Sequence, residues 1–326
     1  MSEPTPPLSS TYEPFPPFEV LVLPPPKRRY WLHALLLAAT VFTTLAGGAR
    51  LQYNFDHNLP AFAADEDFFP LPWALDQPQR LWLGIPFSAA LMLILLTHEM
   101  GHYLYCRRNR VYATLPYFLP IPTPIGTLGA FIRIRSPIRS RAALFDIGIA
   151  GPIAGFVVAV AALVVALLLS TPMPADMPPS EIQFGHPLIF YLVHDILAAL
   201  GMVPAPLDAL HLHPVAMAAW VGMLATALNL LPGGQLDGGH IVYALWPRAH
   251  RWWTRGTALV LLPLGFLWQG WLLWAAILLA MGARHPAVPP YPGLSRGRLL
   301  LALLGLAILL LTFMPAPVAG HGLVWR

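Results

Sequence analysis

Hydrophobic and polar positions fall in long blocks along this chain rather than in the three-to-four residue rhythm of a soluble amphipathic helix. Apolar runs cover residues 30–48, 81–105, 142–170, 214–231, 257–281 and 299–314, and polar or arginine-bearing stretches separate them. Each run approaches or exceeds the roughly 20 residues that a helix needs to cross the apolar layer of a bilayer. The pattern predicts an all-α polytopic membrane protein with about six transmembrane helices. A weaker run, 188–203, carries His194 and Asp195. If it crossed, the next run would finish at the wrong depth to meet the segment 97–102 discussed below. It is therefore expected to lie along the outer interface.

Two interruptions carry information. Between residues 111 and 141, Tyr117-Phe118-Leu119-Pro120-Ile121-Pro122 holds too many prolines for a helix, and Gly129 to Arg135 alternates in the strand manner. This short β-like segment is expected to dip into the membrane, where irregular backbone is tolerated only against protein or a wet cavity. Its edge could pair with an extended substrate. The second interruption, Pro232 to Gly239, breaks a helix at depth, and such breaks usually line a site.

Composition agrees with the pattern. Hydrophobic residues make up 57% of the chain and charged residues 10%, against roughly 25% charged in a soluble domain. The net charge of +4 is carried almost wholly by arginines between apolar runs, which suits membrane orientation better than nucleic-acid binding. Lys27-Arg28-Arg29 before the first run places the N-terminus in the cytoplasm, and Arg107-Arg108 after the second returns the chain there. Arg284, Arg296 and Arg298 then fall outside, unless 257–281 doubles back near residues 265–270. The single cysteine, Cys106, excludes an internal disulfide. The resulting division is a proline-rich cytoplasmic tail (1–29), a first span (30–48), an external loop (49–80), a core (81–250) and C-terminal spans (251–326). The acidic cluster of the external loop reads as solvated rather than calcium-binding.

The chemistry lies in Thr97-His98-Glu99-Met100-Gly101-His102. On a helix His98 and His102, at i and i+4, share one face and can grip one metal ion; Glu99 stands beside them to hold water. This is the H-E-x-x-H arrangement of two ligands and a general base. Ionisable residues at membrane depth are costly and functional by default. The second span runs inward, so His98 lies about 25 Å below its outer end. Asp237, in the break, ends at the same depth and is the expected third ligand. A helix-capping role for Asp237 and ligation by His240 are the competing readings. Asn229 is a candidate oxyanion donor or a clamp on the carbonyls of the break. Asp146 reads as a cap or salt-bridge partner. His194 with Asp195, and His211 with His213, read as polar-face residues rather than a second metal site.

His98-Glu99-Met100-Gly101-His102, followed by Asn229-Leu230-Leu231-Pro232-Gly233-Gly234-Gln235-Leu236-Asp237-Gly238, resembles the site-2 protease family of intramembrane zinc metalloproteases. The likeness covers roughly residues 81–245 and is similar to the plastid and bacterial branch without a PDZ domain. It implies Zn2+ held by His98, His102 and Asp237, with Glu99 as catalytic base and Asn229 in substrate or oxyanion contact. It implies a transmembrane protein substrate cut within the lipid bilayer after another protease has trimmed it, and residence in a bacterial inner membrane. The chain departs from the family's Gly-Pro-x-x-Asn pattern at Gly151-Pro152-Ile153-Ala154-Gly155, so the asparagine contact is absent there. The rival readings are a polytopic transporter, which the broken helix favours but the absence of a visible repeat opposes, and a membrane chaperone that has lost catalysis, which intact Glu99 opposes.

Overall fold

A computed structural model describes residues 29–62, 64–178, 182–281, 285–289 and 293–319. The expected proline-rich tail lies outside them except for Arg29. Three described stretches of helix are long and apolar enough to cross a membrane. The first is α1 (Tyr30–Asp56). The second is a 3-10 turn over Pro78–Gly84 running into α4 (Ile85–Arg108), and the third is α5 (Arg141–Leu169). Between the first two lie the short helices α2 (Asp65–Phe68) and α3 (Pro70–Asp76).

The first helix is longer than expected. It continues past residue 48 to Asp56, so Arg50 is inside the helix and buried rather than at the start of a loop. The acidic stretch that follows is not wholly solvated: Asp67 is 2% exposed and accepts hydrogen bonds from Arg50, from the Asn54 amide at 2.9 Å and from the Ala64 backbone at 2.7 Å. A buried arginine inside an apolar helix is tolerable because the carboxylate folds back onto it.

After α4 the chain forms a hairpin of β1 (Tyr117–Pro120) and β2 (Thr127–Phe131), paired antiparallel. Its tip lies against the middle of α1. The Thr43 hydroxyl donates to the Gly126 carbonyl at 2.6 Å, and a Cβ on Gly47 would stand 2.2 Å from the Pro124 carbonyl oxygen. The hairpin is thus packed along a membrane-length helix, and its proline-bearing strand is not helical, as the proline pattern predicts.

α5 starts on a Ser140 cap, whose hydroxyl accepts from the Ala143 N–H at 3.1 Å. After it, β3 (Thr171–Pro172) and β4 (Gln183–Phe184) lead to α6 (Leu188–Ala199). At about 1.5 Å per residue α6 is about 18 Å long, too short to cross. β5 (Leu210–His211) pairs with β3, and α7 (Pro214–Leu230) then returns to the depth of the histidine motif. Ala159, Leu163 and Leu167 of α5 pack with Phe190 and Val193 of α6 and with Trp220 and Met223 of α7 in the largest apolar cluster.

In the C-terminal region the sequence leaves two arrangements open, and the structure has the doubled-back one. Residues 257–281 are not one span: α9 (His250–Leu264) and α10 (Gly270–Ala280) are separate helices that pack on each other, with the chain reversing between them. α11 (Arg296–Thr312) then begins beside the start of α5, where Arg298 grips Asp146 through two hydrogen bonds of 2.8 Å. The doubling back returns Arg298 to the end of the molecule that holds Asp146. After α11 the chain reaches β6 (Val318–Ala319), which pairs with β4.

Candidate metal centre

His98, Glu99 and His102 project from α4 into the bundle and are each 6–7% exposed. The opposing wall is α5, and glycine lets it come close. A Cβ on Gly151 would stand 2.1 Å from His102 Nε2, and one on Gly101 would stand 2.6 Å from the Ala150 carbonyl oxygen. Larger residues at either place would force the helices apart. Pro152 inside α5 lacks the N–H that would otherwise bond to the carbonyl of Gly148. One residue earlier, the Ile147 carbonyl takes a hydrogen bond from His102 Nδ1 at 2.7 Å. A carbonyl only accepts, so Nδ1 carries the proton and the lone pair of Nε2 faces the interior.

Asp237 arrives from the break. α7 ends at Leu230, irregular backbone follows, and α8 (Asp237–Leu245) restarts with Asp237 as its first residue. The restart is held close by Gly238, whose added Cβ would be 2.1 Å from the Leu230 carbonyl oxygen. Asp237 Oδ2 lies 3.2 Å from His102 Nε2 and 3.4 Å from His98 Nε2, and the two imidazole nitrogens are 3.2 Å apart. These three residues are the only group of three or more potential metal ligands that converge among the described residues. Three lone-pair donors facing one another inside an apolar bundle form a cradle that a divalent cation would satisfy, and two histidines plus a carboxylate are a donor set for catalytic zinc.

The structure places the other residues singled out in the sequence as follows. The backbone of Ile132, just past β2, lies beside Glu99, so the hairpin borders the site. The Asn229 amide reaches His98 Nε2 at 3.3 Å. It does not clamp the break. That work falls to α9, which the sequence reading left out of the site: Thr257 donates to the Pro232 carbonyl at 3.0 Å, Thr254 accepts from the Gly234 N–H at 3.1 Å, and His250 Nε2 bonds the Gly234 carbonyl at 3.0 Å. The signal was present as polar residues at i, i+4 and i+7, one face of a helix otherwise bearing arginines and apolar side chains. His240, the alternative ligand, turns instead to His285 Nε2 at 2.8 Å. Gly155, standing where the resembling family has asparagine, packs on His98, with an added Cβ 3.1 Å from its ring. Cys106 is buried with Val111 and Ile147, and His194 is engaged by Asp195 and the Ala205 carbonyl.

Fold and site together define a class: a bundle of apolar helices closing on a candidate metal centre where one helix is broken. Residues 86–266 match the model of Peptidase family M50, and the chain belongs to that family. It is 30% identical over 72% of its length to the probable zinc metalloprotease EGY2, chloroplastic, of Arabidopsis thaliana, covering 41% of that protein. It is 31% identical over 66% of its length to the Arabidopsis thaliana probable zinc metalloprotease EGY1, chloroplastic, covering 39% of it, and 32% identical over 65% to its Oryza sativa counterpart, covering 37%. The chain therefore spans about two fifths of the length of the curated relatives it matches.

Proposed function

We propose that this chain is a zinc-dependent intramembrane endopeptidase that cuts a membrane-spanning segment of another protein. The observation that carries the reading is the convergence of His98, His102 and Asp237 within 4.8 Å of one another at a helix break, with Glu99 next to the first histidine. His98, His102 and Asp237 would hold the ion. Zinc there supplies Lewis acidity, which polarises a carbonyl and makes water a nucleophile near neutral pH.

The remaining work falls to the chain's own groups. Glu99 takes a proton from water and returns it to the departing amine. The Asn229 amide, beside His98, donates to the oxyanion that develops on the attacked carbonyl. The Ile147 carbonyl holds His102 in one tautomer. β2 borders Glu99 at its far end, and its edge offers main-chain partners to an extended substrate strand. A helical substrate hides its carbonyls, so the substrate is expected to unwind there. The membrane is the compartment that the apolar helices fit, and the positive-inside rule places the start of α1 on the cytoplasmic side. We take the protease core to extend through α9 to residue 264, because α9 holds the break that delivers Asp237.

The test compares wild type with Glu99→Gln, purified in detergent, for bound zinc and for cleavage of a single-span substrate. Both proteins should hold one zinc, and cleavage should fall about 10²–10⁴-fold in the variant. Absence of zinc from wild type would overturn the reading. Zinc in both with equal cleavage would remove Glu99 from its role.

A further inference from the structure

At the end of the molecule where α1 begins and α4 finishes there is a recess of about 730 Å³. Its walls come from three separate pieces of chain: the first turn of α1, the last turns of α4, and the segment around β1 and β2. Each contributes one arginine, namely Arg29, Arg107 and Arg135, and no aspartate or glutamate lines the recess. The three side chains are exposed, and among the described residues none has a carboxylate within ion-pair distance. Arginines elsewhere that matter to the fold are paired, Arg50 with Asp67 and Arg298 with Asp146. Three like charges gathered on one cavity repel each other, and a bound anion relieves that repulsion.

We propose that this recess binds the headgroup of an anionic phospholipid. Guanidinium groups contributed by three separate wall segments supply planar donor forks, each able to grip a phosphate in bidentate fashion. Tyr103 and Thr114, also on the wall, add hydroxyl donors. Lipid is favoured over a soluble anion by what stands on the same turns of the two helices. Trp31 is 64% exposed, Leu35 56% and Leu104 54%, so an apolar surface for acyl chains lies alongside the cationic recess. Basic pockets between membrane helices are sites of this kind. The bound headgroup ties α1 to the end of α4, where Tyr103 directly follows His102, and to the strand segment that leads to Glu99. The inference rests on the recess and on membrane insertion, not on the proteolytic reading.

The experiment is native mass spectrometry of the full-length protein, released from nanodiscs of mixed phosphatidylglycerol and phosphatidylcholine. Wild type should retain one phosphatidylglycerol per chain and discriminate against phosphatidylcholine. Each arginine replaced by glutamine should weaken retention about fivefold, so Arg29→Gln/Arg107→Gln/Arg135→Gln should lose on the order of 100-fold. An unchanged circular-dichroism spectrum and gel-filtration profile would report that this variant is folded, and Arg135→Gln alone should show its share even if the triple variant is unstable. Arg248→Gln/Arg251→Gln/Arg255→Gln removes equal charge elsewhere and should retain the lipid. An equal loss there would reduce the effect to bulk charge and overturn the site. Retention without preference for phosphatidylglycerol would overturn it as well. Equally tight binding of inorganic phosphate by the delipidated protein would make the ligand a free anion rather than a lipid. Deletion of residues 1–26 should leave retention unchanged. Retention appearing only after that deletion would assign the recess to the chain's own acidic N-terminal segment.

Discussion

Two pairs of helices, α4 with α5 and α9 with α10, look alike as apolar runs but are packed on opposite principles. Where α4 meets α5, glycine faces backbone: Gly101 lies against the Ala150 carbonyl and Gly151 against the His102 ring, with no room for even a methyl group. Where α9 meets α10, large side chains fill the space, with Leu261, Trp271 and Leu278 all fully buried. The first pair fixes the distance between two backbones, and so fixes the imidazoles mounted on one of them. The second pair fills volume and leaves the polar face of α9 free to hold the break before Asp237. In a lipid environment, where apolar burial between helices gains little over contact with acyl chains, close backbone approach and hydrogen bonding decide which contacts are rigid.

The largest effect that would test this contrast is expected at Asp237, the one ligand that the second region delivers to the first. Asp237→Ala removes the only anionic donor. Zinc affinity, measured by competition with a chromogenic chelator, should fall by more than the roughly 10–100-fold that loss of a supporting partner costs. Retention of wild-type affinity would mean that the break does not serve the metal.

Gly151→Ala comes next. The added methyl would overlap His102 Nε2, and both are anchored to packed helices, so zinc affinity should drop by about 10–100-fold while helical content is preserved. Unchanged affinity would show that the α4–α5 spacing has slack.

A smaller effect is expected from Thr254→Val, which leaves the Gly234 N–H without its partner. Stability in a detergent unfolding titration should fall by about 1 kcal/mol. Zinc affinity should weaken with it, because the break that presents Asp237 loosens. A stability loss with unaltered zinc affinity would separate α9 from the metal centre.

The smallest effect serves as the control. Gly256, on α9, has open space around its Cβ position, so Gly256→Ala should stabilise the protein by about 0.5–1 kcal/mol and leave zinc binding untouched. The two glycine-to-alanine changes, with opposite outcomes, state the difference between the regions in one assay.

Much of the site could be read from residue order because its chemistry is local. His98 and His102 share a face through helix geometry alone, and the proline and glycines around Asp237 announce a break without reference to any neighbour. Hydropathy was less informative toward the C-terminus. A window over residues 257–281 averages across the reversal at 265–269, where Gly265 and Gly270 flank Trp268, so two short helices read as one long one. The arginine pattern contained the correction, since a reversal was the arrangement that kept Arg298 from the far side. The buried Arg50 was misplaced for a related reason. A charge after an apolar run predicts the end of a span, whereas Asp67 folds back and neutralises it.

The sequence by itself determined that the chain is built of apolar helices, where they are interrupted, and which side chains could hold a metal. Those are properties of short stretches, set by periodicity, proline and glycine chemistry, and the cost of charge at depth. Tertiary structure alone decided that Asn229 turns to His98 rather than to the break, that α9 supplies the polar clamp, and that His240 pairs with His285. It also decided that three arginines from distant segments share one recess. Each of these depends on which helices lie side by side and at what distance, and that is settled by packing between segments far apart in the chain.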